Sequence, residues 1–167
     1  WYGVVVSGNR VQQVNLNDNN LVGFLPPEIG DLDASIYFRV RGNTISGTIP
    51  IEVGNMSSII QLWLYDNQLS GSIPSSLSNI NTLRELRLDQ NQLTGTIPPE
   101  LGNLTNLWLL FVYSNQLTGT IPITATNFPA LTALDVNNNQ LSGPIPFDIT
   151  THISIDYLLM GGNQFTG

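Results

Sequence analysis

The chain has no cysteine and no lysine, and it carries few charges of either sign. The missing thiols exclude a disulfide framework, cysteine nucleophiles and thiolate zinc sites. Charged residues make up 10% of the sequence, with 12 acids against five arginines and a net charge of −7. An acidic chain without a basic stripe argues against nucleic acid and anionic membranes as partners. No apolar run reaches the about 18 residues of a membrane helix, so no insertion into a membrane is expected of this segment. The single histidine, His152, follows Thr150-Thr151 with no nucleophile–base arrangement around it, and is expected at the surface. No cofactor motif is present, and enzymatic activity is not expected.

What is present is a beat. Asn19, Asn43, Asn67, Asn91, Asn115, Asn139 and Asn163 stand 24 residues apart, without insertion or deletion. Four residues after each comes glycine, from Gly23 to Gly167, and six after comes an aliphatic residue followed by proline, from Leu25-Pro26 to Ile145-Pro146. A fixed period of this length marks a solenoid, in which one supersecondary unit stacks on itself.

Three and five residues before each Asn the chain is apolar, as in Leu86 and Leu88, and it is apolar again two residues after, as in Leu93. Period two means a short strand with one buried face, here seven parallel strands centred on the residues from five to three before each Asn. The Asn amide has donors and an acceptor for the backbone of adjacent coils. The Ile-Pro pair reads as a short second strand ended by proline. A stretch such as Pro99 to Leu104 suits one helical turn with Leu101 and Leu104 inward.

These residues resemble the plant-specific class of leucine-rich repeats, and Leu86 to Pro98 (LRLDQNQLTGTIP) follows its pattern throughout. The resemblance covers residues 11 to 167. It implies a right-handed α/β solenoid with a concave parallel sheet, a second short sheet on the flank, and 3-10 or short helical turns on the convex side. Receptor kinase ectodomains and polygalacturonase inhibitors share the pattern. Residues 1–10 resemble the end of that family's N-terminal cap, with Val6 where a cap cysteine is usual. Cysteine-free versions resemble repeat domains of bacterial and protist surface proteins. Six full coils are expected over 11–154, with a seventh starting at Ile155 and further repeats or a cap beyond Gly167. The resemblance also implies an extracellular or cell-surface location.

Positions that keep the beat belong to the fold, so function belongs where the repeats differ and face water. Those are the outward positions of the first strands. They gather Tyr37, Arg39, Arg41, Trp63, Tyr65, Arg87, Asp89, Trp108, Phe111 and Tyr113, with Tyr157 on the last coil. Coil spacing of about 4.8 Å puts Trp63 between Arg39 and Arg87, and Tyr65 between Arg41 and Asp89. Exposed Trp, Tyr and Arg together are typical of binding hot spots. A protein, peptide or glycan ligand is therefore expected on this face.

A second pattern is a ladder of hydroxyls: Ser46 and Thr48, Ser70 and Ser72, Thr94 and Thr96, Thr118 and Thr120. On the second sheet it would form a regular uncharged array, similar to the ice-binding faces of β-solenoid antifreeze proteins, which makes ice the alternative ligand. Glu85, Asp89 and Asp135 are carboxylates on the first face, and the neighbouring Arg84 and Arg87 make solvated ion pairs the expected outcome. Asn55-Met56-Ser57 and Asn103-Leu104-Thr105 match the N-glycosylation acceptor pattern, on the convex side.

Overall fold

The computed structural model describes residues 2–123, 127–146 and 155–166. His152 and the terminal residues Trp1 and Gly167 lie outside the described residues. The period-two segments form the strands β2 (Arg10–Asn15), β4 (Tyr37–Arg39), β6 (Gln61–Trp63), β8 (Glu85–Arg87), β10 (Leu109–Phe111), β12 (Ala133–Asp135) and β14 (Tyr157–Leu159). They pair in parallel and in register, each residue opposite the one 24 positions on, as in Arg39 opposite Trp63 and Trp63 opposite Arg87. At the start of the chain β1 (Val4–Ser7) closes the sheet by pairing antiparallel with β2.

The strands centre one residue earlier than the pattern predicts, and the Asn amides are the reason. Asn91 Nδ2 donates to Leu64 O and Leu88 O, both at 3.1 Å, while its Oδ1 accepts from Leu69 N–H at 2.9 Å. The carbonyl three residues before each Asn is thus taken by amides, not by a strand partner, although backbone bonds between coils resume beyond it, as in Gln90 N–H to Tyr113 O at 2.9 Å. The same bonds recur at Asn43, Asn67, Asn115, Asn139 and Asn163. Asn19 departs from the beat and is exposed.

The second sheet also departs from expectation. Its strands are β3 (Val22–Phe24), β5 (Thr44–Thr48), β7 (Gln68–Ser72) and β9 (Gln92–Thr94), with β11 (Thr118–Gly119), β13 (Gln140–Pro144) and β15 (Gln164–Thr166) in a separate group. Two backbone bonds, Gln116 N–H to Leu93 O and Thr118 N–H to Gly95 O, bridge the groups. These strands end before the Ile-Pro pair instead of on it. The isoleucines turn inward, with Ile49, Ile73 and Ile97 all buried. The prolines, held extended, precede 3-10 turns such as Ile51–Asn55 and Pro99–Asn103. Three of these turns bury an aliphatic pair completely: Val53 with Met56, Leu77 with Ile80, Leu101 with Leu104.

Two glycines show what the period demands. Gly71 has φ of 74° and lies against the Thr48 methyl, which an added Cβ would approach to 2.9 Å. At Gly54 a Cβ would meet Ser76 O at 2.4 Å, because the turns of adjacent coils nearly touch. The core runs unbroken between the sheets and the turns, with Leu62, Leu64, Leu69, Leu86, Leu88 and Leu93 wholly buried. Each such side chain contributes about 1.5–3 kcal/mol of burial.

Candidate functional site

The outward residues of β4 to β14 form one connected lattice on the concave face. Its N-terminal end is built on Arg39. The guanidinium carbon lies 4.4 Å from the Tyr37 ring centre and 4.5 Å from that of Trp63. An arginine held between two rings keeps its charge while losing water, an arrangement worth about 0.5–2 kcal/mol per ring. Arg39 also donates to Gln61 Oε1, while its Nε is buried without an acceptor. Gln61 passes the chain on to Glu85 at 2.8 Å, and Trp63 Nε1 donates to the other Glu85 oxygen at 3.1 Å. These bonds fix the Trp63 ring. Arg41 pairs with Asp18 of the preceding coil at 2.8 Å and lies 5.6 Å from the Tyr65 ring.

The centre is built on Arg87. It does not reach back to Trp63, as simple stacking of columns suggests. It turns the other way, over Tyr65 at 3.7 Å and toward Phe111 at 5.3 Å. The cause lies beneath it: Asp89 accepts two bonds from Arg87, at 3.1 and 3.0 Å. The Asp89 side chain is fully buried and that of Arg87 is 21% exposed. Burial alone lowers the Arg87 pKa, but the Asp89 carboxylate more than offsets it and holds the guanidinium above its ordinary value. Burial, reinforced by Asp89, also holds the Tyr113 hydroxyl above the usual phenol range, so it stays neutral.

The expectation of solvated ion pairs is therefore corrected. Asp89 is sealed under Arg87, Glu85 serves Gln61 and Trp63, and Arg84 is exposed, with no ion pair among the described residues. Asp135 is only 5% exposed and forms no ion pair among the described residues. Burial pushes its carboxyl up, against the Asn137 N–H that holds one oxygen at 3.0 Å; Asp89 lies near enough to push it up further and Arg87 near enough to pull it down.

At the C-terminal end Phe111 meets Tyr113 edge-on at 6.4 Å and Tyr157 at 5.7 Å. Phe111 and Tyr157 sit two coils apart. They touch because the residue between them, opposite both Leu109 and Tyr157, is the small Ala133. Trp63 and Tyr65 lie 6.2 Å apart, so the rings form two groups joined by Arg87. Trp108 is 37% exposed, one residue before β10, and stacks on none of these rings among the described residues.

The hydroxyl ladder lies on the second sheet, as the spacing suggests, but part of it is engaged. Ser46, Ser70 and Thr118 donate to the glycine carbonyls of the preceding coil, at 3.1, 3.4 and 3.2 Å. The methyls of Thr48 and Thr96 abut Gly71 and Gly119. Ser72, Thr94 and Thr120 are exposed, and the array is interrupted where the sheet divides. Asn55 and Asn103 are exposed at the ends of their 3-10 turns. No group of three or more metal-ligating side chains occurs among the described residues.

Comparison with known proteins gives a consistent result. The leucine-rich repeat family model matches residues 10–32, 58–80, 82–104 and 130–151. Among solved structures, pollen receptor kinase 3 is 31% identical with a TM-score of 0.88, and the match covers 100% of this chain and 81% of that one. The Arabidopsis receptor kinase HAESA, in complex with the peptide hormone IDA and the co-receptor SERK1, is 37% identical over 91% of this chain, with a TM-score of 0.86. The ectodomain of the Arabidopsis receptor kinase GASSHO1/SCHENGEN3, in complex with CASPARIAN STRIP INTEGRITY FACTOR 2, is 36% identical over 92%, with a TM-score of 0.88. The chain spans only 26% and 19% of the length of those two. No curated protein matches the sequence.

Proposed function

The chain belongs to the leucine-rich repeat family, and from that premise we propose that it is a non-catalytic, extracellular recognition module that binds a peptide or protein segment on its concave face. One observation carries the reading: arginines and aromatic rings interlock from Tyr37 to Tyr157 across outward strand positions at which the repeats differ. Rings immobilised by cation–π and edge contacts bury area without losing much rotamer freedom. Arg39 and Arg84 lack carboxylate partners among the described residues, so both offer charge to a ligand. The likeness to the receptor kinase HAESA, solved in complex with a peptide hormone, supports a peptide over a glycan. In this reading the residues that touch ligand are Tyr37, Arg39, Arg41, Trp63, Tyr65, Arg87, Trp108, Phe111 and Tyr113, with Asp89 acting through Arg87. Carbohydrate on Asn55 or Asn103 would leave that face clear.

Peptide and glycan arrays probed with the protein test this directly. Trp63→Ala with Phe111→Ala is expected to abolish array binding, and Thr96→Tyr with Thr120→Tyr to leave it intact. Binding that survives the first pair contradicts the reading. Thermal hysteresis in the unmodified protein, lost in the second pair, would replace it with ice recognition.

A further inference from the structure

The two ends of the concave face differ in charge. The N-terminal half carries Arg39, Arg41, Arg84 and Arg87. Beyond β10 no arginine or lysine follows, and Asp135 stands on β12 directly opposite Phe111 on the neighbouring strand. Asp135 is a carboxylate of an unusual kind for this surface. It is 5% exposed, yet no cation pairs with it among the described residues. One oxygen accepts the Asn137 N–H at 3.0 Å. The other has no donor among the described residues and is not sealed from solvent. Beside it Phe111 and Tyr157 close over Ala133 with ring centres 5.7 Å apart.

A half-desolvated carboxylate beside aromatic faces is matched chemically by a cation with an apolar stem. The carboxylate supplies the counter-charge, the rings supply their negative faces, and the stem covers the rings. Asp89 has the same residue type and a cation already in place, Arg87, which shows how this surface pairs a buried acid. We propose that Asp135, with Phe111 and Tyr157, forms a subsite for a lysine or arginine side chain of the bound peptide. The inference rests on the recognition reading above and adds the polarity of the ligand: its basic residue lies at coils five to seven, away from the arginine end.

The test is to pan a phage-displayed random heptapeptide library against the protein and re-synthesise the selected peptides with acetylated amino termini. The expected peptides contain Lys or Arg. They bind the Asp135→Asn protein at least tenfold more weakly than wild type, and bind Asp156→Asn, a neighbouring exposed acid, within threefold. Replacing the basic residue by norleucine lowers wild-type affinity by a similar factor and has little further effect on Asp135→Asn. Peptides that need Trp63 and Phe111 but contain no basic residue, or bind Asp135→Asn as well as wild type, overturn the subsite alone. So does equal loss in Asp156→Asn, or dependence on a free amino terminus. Failure to select any peptide whose binding depends on Trp63 and Phe111 overturns the recognition reading itself. Because asparagine keeps the acceptor for the Asn137 N–H, thermal unfolding of Asp135→Asn is expected to match or exceed wild type, so lost binding reports the charge.

Discussion

Asp89 and Asp135 are the same residue type on the same sheet face, two coils apart, and their neighbours give them opposite characters. Asp89 is buried and paired with Arg87 through two hydrogen bonds, and removing that arginine leaves a buried carboxylate without its partner. Arg87→Ala is expected to destabilise by about 3 kcal/mol in urea titration. Adding Asp89→Asn should recover part of the loss, and additive effects would show that the pair is not coupled. Asp135 lacks such a partner, and burial raises its pKa in the folded state. The sign follows: a raised carboxyl pKa means that ionisation opposes folding above that pKa, and that the opposition fades as pH falls toward the unfolded value. Asp135→Asn should therefore be at least as stable as wild type at pH 7. Its advantage should shrink as pH drops through the elevated pKa, and an advantage that grows toward acid would contradict this. Neither character was legible in the sequence. Arg84, Arg87, Glu85 and Asp89 lie close enough along the chain to suggest several pairings. Which carboxylate is sealed depends on where the Arg87 side chain turns.

At the scale of the repeated element, one amide joins coil to coil. Asn91→Ala leaves the carbonyls of Leu64 and Leu88 and the Leu69 N–H without their partner, at an expected cost of about 1–3 kcal/mol. Asn19→Ala, at the exposed first position, should change stability by less than about 0.5 kcal/mol. Equal effects at the two sites would mean that the amide bonds do not carry the coil junction. Most of this element was readable beforehand, because a 24-residue beat makes buried and exposed positions repeat. A further signal lies beside each Asn. The residue before each Asn is Asp18, Gly42, Asp66, Gln90, Ser114, Asn138 or Gly162, and all seven have φ between 51° and 64°. A column of Asp, Asn and Gly is what a left-handed turn selects. The Ile-Pro strand was misplaced for a different reason. An aliphatic before proline fits an extended strand end and an inward-facing residue leading into a 3-10 turn equally well, and only packing separates them.

The whole molecule separates its roles by surface. The turns and the second sheet hold the coils in register, and the concave sheet displays what varies. The period, the parallel sheet and the inward leucines followed from the sequence because each is repeated. The proposed ligand surface was legible only in outline, as a cluster of Trp, Tyr and Arg. Its internal wiring, with Arg39 between Tyr37 and Trp63 and Arg87 between Tyr65 and Phe111, depends on rotamers that no period encodes. The most direct measurement is amide hydrogen exchange with and without the tightest-binding array peptide. Recognition on the concave face predicts slowed exchange at residues 37–41, 61–65, 85–89 and 109–113, with the second sheet unchanged. Protection confined to residues 44–48, 68–72 and 92–96 would contradict it.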